Sequence, residues 1–308
     1  MPPPAALRGI TILERGWLSS NNVLLHGSGD EGAWLVDTGH VLHAAQTVAL
    51  VRRALAGEPL RGIVNTHLHS DHCGGNAAVQ RAFGCRITIP PGHWAAALAW
   101  DEQVLSYAPT GQRCERFVPD ARLEPGQHLD AGGRRWQVLA APGHDPHSVV
   151  LFDDRDGVLV SADALWQNGF GVVFPELEGE SGFDEVGRVL DLIATLDARW
   201  VIPGHGAPFD DVAAALQCAR RRLDGFRADP ARHAHHAVKV LVKYHLLEEQ
   251  RQAWPDFLAW FSGVELCRTI WQRQGRPDAT LAAYAGRLVD ELVSAGALVR
   301  RGEVLDNA

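Results

Sequence analysis

The run Asn65-Thr66-His67-Leu68-His69-Ser70-Asp71-His72-Cys73-Gly74-Gly75 sets three imidazoles and a carboxylate within six residues. His67, His69 and Asp71 recur at every second position, so an extended chain projects them to one side while His72 points across. Imidazole nitrogen and carboxylate oxygen are the donors that borderline divalent cations such as zinc accept, at about 2.0–2.2 Å. The glycines after His72 are expected to turn the backbone sharply into a following helix. Three further residues are placed alike. His144 follows Ala140-Ala141-Pro142-Gly143, Asp163 follows Leu159-Val160-Ser161-Ala162, and His205 follows Val201-Ile202-Pro203-Gly204. Any one alone reads as a capping or surface residue. Four groups that each end an apolar, strand-like run point instead to strands finishing on one rim of a sheet, where donors gather in a crevice.

The elements that must carry these residues are visible as pattern. Strand-like runs fall at 9–13, 22–26, 33–37, 62–65, 86–90, 135–140, 148–152, 157–161 and 200–203. Helical periodicity appears at 43–55, 75–83, 91–100 and 183–196. Strands in hairpin-like succession that then mix with helices predict layered sheets with outer helices. From about Asp210 the pattern is almost wholly helical, with a break at Asp229-Pro230. Near the end, 280–294 reads as a helix with Gly296 as its C-cap, and 297–300 can pair with 303–305 around Arg301-Gly302. A helix followed by a small hairpin is similar to a winged helix, a unit used for nucleic acid and equally for packing.

Composition fits this division. At roughly 150 residues per domain, 308 residues predict about two; the expected border is 215/216, with a catalytic domain over 1–215 and a mainly helical, winged-helix-like one over 216–308. The first part holds 15 basic against 26 acidic residues, a net of −11, and the second 14 against 11, a net of +3. The overall net charge of −8 argues against sequence-blind binding to nucleic acid or to an anionic membrane. Hydrophobic residues at 46% exclude a largely disordered chain, and no run of eighteen apolar residues supplies a membrane span. The proline-rich start meets Arg8, Glu14 and Arg15 where a signal peptide needs its apolar run, so a cytoplasmic protein is expected. Five widely spaced cysteines without a C-x-x-C pair read as free thiols.

At the histidine and aspartate positions the chain resembles the metallo-β-lactamase-fold superfamily, in particular its glyoxalase II-like and related hydrolases, over about residues 8–215. The resemblance implies an αββα sandwich holding two metal ions. By that analogy His67, His69 and His144 bind the first, Asp71, His72 and His205 the second, and Asp163 bridges both, with Asp71 also accepting or orienting a proton. Two cations roughly 3.5–4 Å apart share a water and hold it as hydroxide near neutral pH. Zinc is the expected ion, though iron or manganese accept the same donors.

The chain departs from the family after the third histidine: Asp145 replaces the usual Thr and His147 the usual Gly. Both are expected beside the ligands. Asp37, in Val36-Asp37-Thr38-Gly39, matches a family element that supports the metal loop, so the resemblance implies that it accepts an N–H from a ligand imidazole; an ordinary turn-forming Asp before Gly is the equal alternative. Trp166 and Phe170, with Phe174 beyond, follow Asp163 and predict a wall of the mouth, where they either contact an apolar acyl group or brace a glycine-rich loop. Lys239 and Lys243, the chain's two lysines, share one helix face with Tyr244 beside them and read as an anion clamp or a solvated face.

The leading expectation is a dinuclear zinc hydrolase that uses a metal-bridging hydroxide on a small ester, thioester or lactone. Two alternatives stay open: a metal-dependent ribonuclease whose C-terminal part holds RNA, and a non-haem iron dioxygenase of a thiol conjugate. A non-catalytic binding module ranks last. A β-lactamase proper is disfavoured, because antibiotics are hydrolysed outside the cytoplasm. A small-molecule substrate and no membrane partner are expected, nucleic acid ranks lower, and a homodimer is left open.

Overall fold

Apolar, β-branched runs pair into two sheets over the first 205 residues of the computed structural model, which describes residues 4–27, 31–276 and 278–308. The first sheet orders β1 (Ile10–Leu13), β2 (Asn22–Leu25), β3 (Ala33–Val36), β4 (Leu60–Val64), β5 (Arg86–Ile89) and β6 (Ala121–Arg122) in sequence. Its first two pairings are antiparallel and the remaining three parallel. The parallel part requires crossovers, and these supply α1 (Ala44–Leu55), α2 (Ser70–Cys73), α3 (Asn76–Phe83), α4 (Trp94–Ala99) and α5 (Tyr107–Thr110). The second sheet has the order β11-β10-β9-β8-β7, built from β7 (His128–Ala131), β8 (Arg134–Ala140), β9 (Val149–Asp153), β10 (Val158–Ala162) and β11 (Trp200–Pro203). The crossover from β10 to its parallel neighbour β11 carries α6 (Phe174–Glu178) and α7 (Gly182–Thr195).

One apolar cluster joins the two sheets: Val23, Leu25, Val36 and Val64 of the first meet Trp136, Val138, Leu151, Val160 and Ile202 of the second. β9 and β10 are buried at every position, as strands covered on both faces must be. The expected αββα sandwich is therefore present. Among the described residues no helix is long and apolar enough to cross a membrane.

The described chain divides into two units, Met1–Leu105 with Arg113–Gly225, and Ser106–Gln112 with Phe226–Ala308. The expected border at 215/216 falls inside a continuous helix, α8 (Val212–Ala228), and short α5 belongs to the second unit. That unit contains α9 (Pro230–Glu249), β12 (Arg251–Ala253), α10 (Trp254–Gly263), α11 (Glu265–Arg273), α12 (Leu281–Ser294), β13 (Leu298–Arg301) and β14 (Val304–Asn307). Asp229 and Pro230, read as a break, start α9: the Asp229 side chain accepts from Arg232 N and Pro230 occupies the first turn. Thr280 caps α12 in the same way, and β13 and β14 pair as a hairpin. A third strand, β12, adds to this hairpin in the order β12-β14-β13, which the sequence pattern does not reveal. Phe257, Phe261, Tyr284, Leu288 and Leu305 form the unit's interior.

Candidate metal centre

Four connections of the sandwich bring the expected donors together. The His67–His72 run lies between β4 and α3, His144 between β8 and β9, and Asp163 and His205 follow β10 and β11. All seven side chains are buried. They form two groups. In the first, His67 Nε2 lies 3.1 Å from His69 Nδ1, and His144 Nε2 lies 2.7 Å from that same atom. The second comprises Asp71, His72, Asp163 and His205, each offering a ligand atom within 4.8 Å of the others. Asp163 stands between the groups. Its Oδ2 is 3.4 Å from His144 Nε2, and its Oδ1 is 3.4 Å from His72 Nε2 and 3.9 Å from His205 Nε2.

The backbone enforces this placement at some cost. Asp37 at φ 57° and Ala162 at φ 46° both occupy the left-handed region, which costs a non-glycine residue of order 1–3 kcal/mol. Ala162 lies where the β10–β11 register shifts, so the irregularity re-aims the next residue, Asp163, into the crevice. Gly204 is required by close approach: a Cβ there would stand 2.1 Å from Asp163 Oδ1. Gly74 and Gly75 do not make the expected sharp turn: Gly74 is helical, at φ −61°, and Gly75 lies at φ −85°. Their role is contact. A Cβ on Gly74 would meet Ser70 O at 2.4 Å, and one on Gly75 would meet Thr38 O at 2.5 Å.

Partners on the outer side of each ring fix which nitrogen faces inward. Asp37 Oδ2 accepts from His72 Nδ1 at 2.7 Å, so His72 presents Nε2, an atom that makes no hydrogen bond. Asp37 Oδ1 also accepts from Thr66 N at 2.9 Å, and Oδ2 from Thr66 Oγ1 at 2.8 Å. His144 Nδ1 donates to Val172 O at 2.6 Å, turning its Nε2 to the cluster. Asp145 is buried with Oδ2 3.9 Å from His69 Nε2, and its Oδ1 accepts from His147 N at 2.8 Å. The His147 ring is exposed and meets His93 edge-on at 4.5 Å.

Electrostatics separate the two groups. Burial, reinforced by the neighbouring imidazoles, holds His67 well below its ordinary value and brings His69 to about 4. Burial works the same way on His72, but Asp163, Asp37 and Asp71 outweigh it and raise that imidazole well above its usual range. Burial pushes Asp71 and Asp163 upward, and the charges of His72 and His205 overcome it, leaving both carboxyls lowered. Three converging imidazoles on one side, and on the other a set with two carboxylates and an unsatisfied ring nitrogen, are donor chemistry that fits divalent cations.

The expected substrate contacts divide. Trp166 is at the centre, its Nε1 donating to Asp163 Oδ1 at 3.2 Å. Phe170 is 1% exposed and lies under the Arg222 guanidinium, so of its two expected roles it takes that of bracing the loop rather than contacting a substrate. Phe174, half-buried, meets His69 and His144 edge-on at 4.9 and 5.6 Å. The lysines are engaged inside the second unit. Lys239 pairs with Glu291 at 3.2 Å, and Lys243 donates to Ala297 O at 2.7 Å and to Asn307 Oδ1. They tie α9 to α12 and the chain end, and so form neither the anion clamp nor the freely solvated face that the sequence offered; Tyr244 is half-buried beside them.

Trp17 carries no signal in the sequence. Its ring stacks on His205 at 5.3 Å and 11°, and no spacing links the two. The Thr38, Asn65 and Asn76 side chains beneath the His67–His72 loop are equally silent, although Asn76 Nδ2 donates to Asn65 Oδ1 at 2.6 Å and Thr38 Oγ1 to Asn76 Oδ1 at 2.8 Å.

A family model described as the metallo-beta-lactamase superfamily matches residues 15–205, and the chain belongs to that superfamily. Among curated relatives it is similar to a hydroxyacylglutathione hydrolase of Anaeromyxobacter dehalogenans, 34% identical over 194 residues, which are 63% of this chain and 64% of that protein. The match thus spans less than two thirds of that relative. Among solved structures, a metallo-beta-lactamase family protein from Thermus thermophilus shares the fold with a TM-score of 0.55 at 23% identity, over 99% of this chain and 100% of the other. A beta-lactamase domain protein from Burkholderia ambifaria does so with a TM-score of 0.55 at 22% identity, over 100% and 96%.

Proposed function

We propose that this protein is a metal-dependent hydrolase of a thioester or related ester, with two divalent cations, zinc by donor type, held by the seven residues of the centre. The observation that carries this reading is the Asp163 carboxylate, one oxygen facing each donor group. His67, His69 and His144 would hold one cation, Asp71, His72 and His205 the other, and Asp163 both. When bound, such a pair polarises a carbonyl oxygen and lowers the pKa of water. The chain's own residues supply the order. Asp37 fixes the His72 ring, Val172 O fixes that of His144, and Trp166 Nε1 restrains Asp163. Asp71, held anionic by His72 and His205, is a poor store for a proton near neutrality, so its part is to bind and orient. The similarity to a protein named hydroxyacylglutathione hydrolase, a thioester-cleaving name, favours thioesters over lactones.

The test is metal analysis of the purified protein together with an acyl-thioester and ester panel, before and after chelation. The expected result is about two divalent ions per chain and turnover that chelation abolishes and zinc restores. No metal-dependent turnover on any member would overturn the reaction class.

A further inference from the structure

Two sulfurs meet behind the donor cluster and take no part in the proposed reaction. Cys73 ends α2, one residue after His72, and is wholly buried. Cys114 is half-buried, 41 positions further along the chain, and its Sγ lies 3.8 Å from that of Cys73. Neighbouring contacts hold both in place. Cys73 Sγ donates to Leu68 O at 3.4 Å and its backbone N to His69 O at 3.1 Å. On the other side, Glu115 meets Arg81 of α3 through both oxygens, at 2.6 and 3.0 Å, and Arg116 donates to Leu98 O at 3.2 Å. A disulfide sets its sulfurs about 2.05 Å apart, so closure asks for an approach of about 1.8 Å. The 113–120 segment has neither helix nor strand. The α2 backbone, by contrast, is tied by Ser20 N to Asp71 O at 2.9 Å and by Thr38 N to His72 O at 2.7 Å. The segment is therefore the side that moves. Cys85 and Cys267 are buried elsewhere, and burial pushes both thiols up, that of Cys85 to about 11, which makes them poor exchange partners near neutrality.

We propose that Cys73 and Cys114 are a reversible dithiol–disulfide pair, closed by low-molecular-weight disulfides and reopened by the corresponding thiols, which fastens the 113–120 segment to the helix that carries Asp71 and His72. The pair stands independently of the hydrolase reading. An accessible sulfur backed by a buried second one is the arrangement of redox-responsive cysteines. Cys114, the half-buried partner, attacks one sulfur of the small disulfide: a bond from Cys114 Sγ forms, the small S–S bond breaks, and one thiol leaves with the Cys114 proton. Cys73 Sγ then displaces the second small thiol from the mixed disulfide and gives up its own proton. The two cysteines lose two electrons and two protons, and the small disulfide gains them as two thiols. The new bond limits the freedom of the unfolded chain and restrains α2 in the folded one, so the donors on α2 open to solvent less often.

The experiment equilibrates the full chain with mixtures of bis(2-hydroxyethyl) disulfide and 2-mercaptoethanol, alkylates the remaining thiols and maps the peptides by mass spectrometry. The expected product is a peptide linked through Cys73 and Cys114, rising with the disulfide share of the mixture and lost on reduction. Cys73→Ser should stop at a lasting 2-mercaptoethanol adduct on Cys114, and Cys114→Ser should leave Cys73 unmodified. Melting of the oxidised, chelated wild type is expected about 5 °C or more above that of the reduced form, a gain absent from Cys114→Ser. Zinc loaded beforehand should pass to a chelator about threefold or more slowly from the oxidised protein. No linked peptide in any mixture, or links that involve Cys85, Cys218 or Cys267 instead, would overturn the pair. A linked peptide that leaves the melting temperature unchanged, or lowers it, would overturn the fastening of α2. None of these readouts uses a substrate, so failure of the thioester panel leaves the pair standing, and failure of the pair leaves the reaction class untouched.

Discussion

The two donor groups share one crevice and one carboxylate, yet they are built on opposite electrostatic plans. His67, His69 and His144 bring only imidazoles, and burial keeps His67 and His69 neutral and ready to offer lone pairs. Asp71, His72, Asp163 and His205 bring charge, and without a cation it is balanced internally: His72 rises because three carboxylates surround it. On the proposed two-cation reading, the first position would receive its ion without displacing a proton from a raised imidazole, whereas the second would first have to release His72 from its internal pairing. The two positions should differ in affinity and in pH response even though seven side chains serve them jointly.

Removing the shared carboxylate tests this contrast most severely. Asp163→Ala is expected to lower metal content at both positions and to cut turnover by more than the roughly 100-fold that loss of a supporting partner costs. Mass spectrometry under native conditions with a kinetic assay reads both, and retention of two ions would break the assignment of Asp163 to both groups. Acid titration separates the groups next. In chelated protein, His69 titrates near 4 when folded and near its ordinary 6.5 when unfolded. Between those values the unfolded chain binds the extra proton, so stability falls as pH drops through that window, by roughly 3 kcal/mol at its foot. His67 adds in the same direction. His72 has the reverse sign: its contribution is complete below about 6.5 and is lost as pH rises through its raised folded value. Thermal melts with chelator present should trace a dome, and a flat acid limb would remove the distinction.

A subtler change spares every donor. Asp37→Asn leaves His72 without its anionic acceptor and is expected to weaken metal binding by about 10–100-fold, chiefly at the second position. Competition with a fluorescent zinc indicator resolves this, and equal weakening at both positions would show that Asp37 supports the crevice as a whole. The smallest effect belongs to the other unit. Lys243→Ala removes the bonds to Ala297 O and Asn307 Oδ1, with an expected loss of about 1–2 kcal/mol in urea unfolding and no change in metal content. A change in metal content there would return the lysine to the chemistry.

The proposed donor positions are legible because His67, His144, Asp163 and His205 each follow an apolar run, with His69, Asp71 and His72 close behind the first, a pattern that survives without knowledge of the fold. Asp37 is legible only through the resemblance carried by Val36-Asp37-Thr38-Gly39, since by residue type it reads equally as an ordinary turn-forming Asp. What escapes detection depends on chain segments far apart in sequence. Trp17 acquires meaning only from His205, β12 only from the hairpin it joins, and the 106–112 segment only from α11. Phe170 and Phe174 show the limit of reading by proximity. They are four residues apart in one loop, and backbone hydrogen bonds from Gly171 N to Asp163 O and from Phe174 N to His144 O send one ring inward and the other to the rim. Gly74 and Gly75 carry the right residue type for a reason other than turning, since crowding by Ser70 O and Thr38 O leaves no identifying mark in the local sequence.

Asp37 joins β3, the strand-end Thr66 and the His72 ring through contacts that involve only the chain itself. A scaffold braced in that manner is assembled ahead of its cargo. Stripped protein should consequently recharge quickly and with little heat from reorganisation, behaving as a socket rather than as a fold that waits for its plug.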